Sequence, residues 1–87
     1  MIPYGKVDSA TALGALVRRK REEAGVRQAD AAAFAGVGTR FLSELERGKH
    51  TAEVGKVLQV LQRLGLELWL LPRGVEPPRH PPGNVDE

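Results

Sequence analysis

Cysteine is absent from the chain, which excludes disulfides and thiolate metal sites. Histidine occurs twice, as His50 and His80, far apart and the second within a proline-rich stretch, so no zinc-binding set is expected. Nowhere do apolar residues run on for the roughly twenty positions of a membrane span. The first nine residues, MIPYGKVDS, have no apolar core behind a basic start, so no secretory signal is expected. The expectation is a cytoplasmic protein with no membrane, metal or cofactor. An excess of one charge is also nearly lacking, with 13 Lys and Arg against 11 Asp and Glu, a net +2. The charge is uneven, however. Residues 1–50 hold nine Lys/Arg against six Asp/Glu, and residues 51–87 four against five, the distribution of a chain whose first half meets nucleic acid. A chain of 87 residues makes one small domain with tails, marginal alone. With disulfides and metals set aside, association with a second chain is the remaining reinforcement.

The apolar pattern predicts four helices. The first runs from about Ser9 to Ala24, capped by Asp8 or Ser9 and ended by Gly25. Leu13, Leu16, Val17 and Ala24 form its apolar side and RRKREE the remainder. A short second helix spans Gln28 to Ala35, rich in alanine, with Phe34 its one large apolar group and Gly36 its end. A third spans about Thr39 to Arg47, stopped by Gly48. The fourth starts with Thr51 as N-cap and Glu53 in the first turn. It carries Val54, Val57, Leu58, Leu61 and Leu64 at helical spacing and closes at Gly65.

LELWLL, Leu66 to Leu71, reads instead as a strand ended by Pro72. A lone strand leaves its backbone N–H and C=O groups without partners, and this one is too apolar to stand exposed. Pairing with the same strand of a second chain across a two-fold axis is the preferred solution, placing Leu66, Leu68, Trp69 and Leu70 in a dimer seam. The N-terminal MIPY is the alternative partner, although it is short and contains Pro3. The segment after it, residues 73–87, is proline-rich and reads as a disordered tail. The resulting layout is an arm over 1–8, a helical domain over 9–65, a dimerisation strand over 66–72 and the tail.

Function concentrates in GVGTRFLSELERGKH, Gly36 to His50. Leu42 and Leu45 define the inward direction of the third helix, with Phe41 at their flank. Arg40, Ser43, Glu44 and Arg47 then face away from the core. Two helices joined by a glycine turn, the second narrow-backed and polar outside, form a helix-turn-helix. The major groove of B-DNA, about 12 Å wide, admits one such helix.

The stretch LGALVRRKREEAGVRQADAAAFAGVGTRFLSELERGK, residues 13–49, resembles the Cro/phage-repressor (XRE) type helix-turn-helix. Its continuation HTAEVGKVLQVLQRLGLELWLLPRG extends the likeness to the HipB-type antitoxins, over residues 9–74 and about three quarters of the chain. The resemblance implies an all-α, four- to five-helix lambda-repressor-like fold with a C-terminal β-strand pairing across a homodimer. It implies a repressor of a palindromic operator in double-stranded DNA that also binds a HipA-like serine/threonine kinase toxin. By the same resemblance Gln28 clamps a phosphate, and Thr39, Arg40, Ser43 and Glu44 occupy base-reading positions. Arg47 and Lys49 meet the DNA backbone, and Arg21 pairs with Glu46 inside the domain. Three residues depart from the family. Arg27 stands where a threonine usually caps the second helix, a loss of about 1 kcal/mol. Gly38 stands at the cap of the third, and Ala31 replaces a leucine, a gap Phe34 is expected to fill.

Arg40 is the foremost candidate base reader, since an arginine fork matches guanine. Thr39 and Ser43 suit base or phosphate. Glu44 can accept from cytosine N4 but is repelled by phosphate. Arg18 and Arg19 are expected to pair with Glu22 and Glu23 along a solvated face, and His50 to lie in a turn. No catalytic set can be assembled, so no enzyme is expected. The alternatives to an antitoxin are a stand-alone repressor and a protein-binding neutraliser with weak DNA binding.

Overall fold

The computed structural model describes residues 4–76. They form four α-helices, α1 (Ala10–Glu23), α2 (Gln28–Ala35), α3 (Thr39–Glu46) and α4 (Val54–Arg63). Ser9 is the cap of α1, its hydroxyl accepting the Ala12 N–H at 3.0 Å. Neither Arg27 before α2 nor Gly38 before α3 makes a side-chain cap bond, as their side chains dictate. Gly36 closes α2 in the left-handed region at φ 77°. The start of α4 differs from the expected one. Thr51 is an exposed turn residue, and the helix begins at Val54 behind Glu53. The residues between first carry Ala52 onto the core, so the chain cannot coil until after it.

The core is built from Val17 of α1, Ala31, Ala32 and Ala35 of α2, Leu42 and Leu45 of α3, and Val57, Val60 and Leu61 of α4. Leu42 and Leu45 point inward as the pattern predicts. Phe34 does not fill the place left by Ala31, because it is 64% exposed. The inner face of α2 is all alanine, Ala31, Ala32 and Ala35, each at most 2% exposed, so its neighbours close over these small side chains directly. Ala24 is exposed as well. On α4 the expected Val57 and Leu61 are buried and Leu64 packs against the core, but Val54 and Leu58 face outward and Val60, not among the expected residues, takes the inward place. Two apolar stripes overlap on this helix, and only contact with α2 selects between them. Gln59 fixes that contact, donating from Nε2 to the Ala35 carbonyl at 2.6 Å, one of the acceptors that a helix end leaves open.

No strand forms among the described residues. The Leu66 N–H returns to the Leu61 carbonyl at 2.8 Å and the Gly65 N–H to that of Gln62 at 3.1 Å, which closes α4. From Leu66 to Pro72 the chain then has no regular structure. The described residues offer this segment no ladder partner, and Tyr4, the one described residue of MIPY, docks elsewhere. Tyr4 lies against α1, its hydroxyl donating to Glu23 Oε1 at 2.6 Å and its ring lying under the Arg19 guanidinium at 4.1 Å. Residues 1–3 and most of the expected tail, 77–87, lie outside the described residues.

The approach of α1 to α3 depends on Gly14, which is buried. A Cβ there would collide with the Leu45 carbonyl oxygen and stand 2.8 Å from that of Glu46. Gly→Ala inside an exposed helix normally stabilises, but here the collision reverses the sign. Gly14→Ala is expected to destabilise by about 1–3 kcal/mol, and a thermal melt should fall by about 4–8 °C for each kcal/mol.

Candidate nucleic-acid interface

One buried charge organises the surface that α3 presents. Glu46, the last residue of α3, is 9% exposed. Arg21 of α1 reaches it twice, Nε to Oε2 at 2.7 Å and Nη2 to Oε1 at 3.0 Å. The third edge of the same guanidinium donates to the Val26 carbonyl at 2.7 Å, in the turn between α1 and α2. Gln28, the first residue of α2, adds Nε2 to Glu46 Oε1 at 3.0 Å. The hydrogen bond to Glu46 holds Arg21 above its ordinary pKa against the opposing effect of desolvation. One carboxylate thus ties together α1, the following turn, α2 and α3. The expected Arg21–Glu46 pair is present, and Gln28 is drawn into it.

Held this way, α3 buries Leu42 and Leu45 and turns its polar side to solvent. Thr39 and Arg40 are exposed and Ser43 and Glu44 half-buried, and the Arg40 side chain is 90% exposed. Arg47, the C-cap of α3, is exposed and makes no ion pair among the described residues. Lys49 follows Gly48, where a φ of 89° and the 2.8 Å at which an added Cβ would stand from the Thr11 Cα disfavour any side chain. Lys49 donates to Glu44 Oε1 at 3.1 Å, and Arg40 Nε donates to Glu44 Oε2 at 3.3 Å. These two bonds, Lys49 first, hold the Glu44 carboxyl below the usual carboxylate range. The structure brings Gln28, Thr39, Arg40, Ser43, Glu44, Arg47 and Lys49 onto or beside one helix. The i,i+4 spacing of Arg40 and Glu44 is legible in the sequence, whereas the Lys49 contact depends on how the chain turns after α3.

The basic run of α1 contributes less. Arg18 pairs with Glu22 at 3.0 Å and Arg19 with Glu23 at 3.1 Å, the solvated face expected. His50 lies in a turn. No group of three or more His, Cys, Asp or Glu among the described residues is arranged to hold a metal ion, and no described helix is long and apolar enough to cross a membrane.

A model of the helix-turn-helix domain family matches residues 12–71. The chain belongs to the helix-turn-helix family. A relative from Sinorhizobium fredii, described as an uncharacterized HTH-type transcriptional regulator, is 49% identical over 69 residues, 79% of this chain and 91% of its own length. A chain of the HipB(S29A)–O2 20-mer complex superposes with a TM-score of 0.72 at 25% identity, covering 79% of this chain and 96% of that one. A chain of the HipA–HipB–O2–O3 complex gives the same TM-score at 23% identity, covering 79% and 97%. The helix-turn-helix of this chain is therefore of the XRE type with a HipB-like fold.

The buried pair yields a stability test. Arg21→Met strands the Glu46 carboxylate and is expected to destabilise by about 3–5 kcal/mol. Adding Glu46→Leu removes the stranded charge and should recover most of that loss. Urea denaturation of the two variants and the wild type checks the sign of the recovery.

Proposed function

We propose that this chain is a sequence-specific DNA-binding transcriptional repressor that acts as a homodimer on a palindromic operator and serves as the antitoxin of a HipA-like kinase. The observation that carries this reading is the fixed polar face of α3, in a fold shared with a chain of the HipB–O2 complex. Half-sites about 34 Å apart would admit the two α3 helices into successive major grooves. Arg40 is assigned to guanine, with Thr39 and Ser43 beside it. Arg47, Lys49 and the remaining N–H of the Gln28 amide are assigned to phosphates, which set the register.

The dimer part rests on an apolar surface that one chain leaves open. Val54 is 69% exposed and Leu58 44%, and Leu68 and Leu70 are also exposed. Leu58, Leu66, Leu68 and Trp69, with the polar Gln62 and Glu67 among them, line an open groove of about 520 Å³. Pairing of residues 66–72 with the same segment of a second chain covers this surface and gives the segment its ladder. The kinase partner is supported by the likeness to a chain of the HipA–HipB complex. A stand-alone repressor is the second reading, favoured by the description of the 49% relative as a regulator alone. Co-purification of a kinase with the tagged chain decides between them.

Fluorescence anisotropy on DNA from upstream of the chain's own gene, against a scrambled duplex, tests the repressor. Preferred binding to the upstream duplex with a steep salt dependence is expected. Arg40→Ala should cost about 1–3 kcal/mol in operator affinity, with little change in stability. Equal binding to both duplexes would refute the repressor. The dimer has its own reporter, because Trp69 is the single tryptophan. Its emission is expected to shift to the red on dilution as the seam opens, and Leu68→Glu should give a monomer by analytical ultracentrifugation.

A further inference from the structure

A carboxylate on a helix that meets DNA requires an explanation, because phosphates repel it. Glu44 is such a group, and its surroundings differ from those of a base reader. Its side chain is only 23% exposed, and each oxygen already has a cationic partner, Oε2 the Arg40 Nε at 3.3 Å and Oε1 the Lys49 Nζ at 3.1 Å. Accepting a bond from cytosine would mean giving up one of them. Ion pairs with an exposed partner contribute little to stability, so the effect of the arrangement falls on its cations.

For Arg40 the consequence is geometric. The carboxylate takes the Nε edge of the guanidinium, and neither Nη atom has a protein partner among the described residues. Those two atoms form the fork that matches guanine O6 and N7. A free arginine at 90% side-chain exposure would lose its rotamer freedom when it bound a base, and the bond to Glu44 removes part of that freedom beforehand. For Lys49 the consequence is electrostatic, since a neutralised ammonium is drawn less to phosphates of any sequence.

We infer that Glu44 is a positioning residue for Arg40: its carboxylate orients the arginine fork toward guanine and restrains Arg40 and Lys49 from indiscriminate phosphate contacts, which makes it a specificity determinant rather than a base reader. This rests on the assignment of α3 to the major groove. Both effects raise the ratio of operator to non-specific binding.

The test uses the full chain as wild type, Glu44→Gln, Arg40→Ala and the double variant. The duplexes are the upstream DNA, a series with each base pair of its operator replaced in turn, and a scrambled sequence. Competition anisotropy at low salt keeps weak binders measurable. Glu44→Gln is expected to bind the scrambled duplex several-fold more tightly, with a salt slope steeper by about one for each newly available phosphate contact. Discrimination at the guanine that Arg40→Ala no longer distinguishes should fall about ten-fold, within what a bidentate arginine contact supplies. With Arg40 already replaced, Glu44→Gln should change that discrimination by less than two-fold. An equal effect in both backgrounds would show Glu44 reading a base itself and overturn the inference. So would unchanged discrimination, or a loss spread over all positions with a lower Tm, which marks a merely structural role. A wild type that does not distinguish the upstream from the scrambled duplex would instead refute the repressor reading, and this inference with it.

Discussion

A carboxylate at 9% exposure needs partners for its charge, and Glu46 obtains them from two other helices. Burying a charge without such partners would cost more than a domain of this size could offset. The bidentate Arg21 contact therefore permits only a narrow range of placements for α3 against α1. Its third bond, to the Val26 carbonyl, sets how the chain turns into α2, and Gln28 ties the start of α2 to the same oxygen that Arg21 Nη2 holds. The polar side of α3 faces solvent in a fixed direction because its last residue is anchored this way. Gly14 completes the constraint by letting the α1 backbone rest on the carbonyls at the end of α3.

The molecule has two surfaces of opposite character. The α3 side is polar, with Arg40, Arg47 and Lys49 around one half-buried carboxylate. The α4 side is apolar, with Val54, Leu58 and the segment after Gly65. On the reading proposed above, the first meets an operator half-site and the second meets another copy of the chain. Covering the second surface would then set the spacing of the two α3 helices. Affinity for a palindrome would depend on residues that touch no DNA.

Much of the helical plan was legible because its signals are local. Ser9 can accept an N–H within its own turn, and a glycine after each helix can take the left-handed conformation that ends it. Leu42 and Leu45, three apart on a short polar helix, could face only one way. Arg40, Ser43, Glu44 and Arg47 followed from that same phase, and Thr39 and the Arg21–Glu46 pair from the family resemblance. The phase of α4 was legible only in part: Val57, Leu61 and Leu64 face the core as expected, but Val54 and Leu58 belong to an overlapping stripe that turns outward once α2 is placed. Phe34 misled for a related reason, because a large apolar side chain says nothing of whether a gap exists to receive it.

The sequence by itself determined the four helices, all their ends but the start of α4, the outward set on α3 and the absence of any disulfide, because each depends on a residue's own chemistry and its neighbours within a turn or two. The tertiary structure decided what lies across the chain. It put Gly14 under two carbonyls, folded Tyr4 onto α1, drew Gln28 into the Glu46 pair and gave Glu44 two cations at once. Those outcomes depend on distances between segments far apart in sequence, which helix periodicity does not encode. The fate of LELWLL lies a level higher still. Its alternation is that of a strand, but a strand needs a partner, and one chain alone leaves residues 66–72 without a ladder.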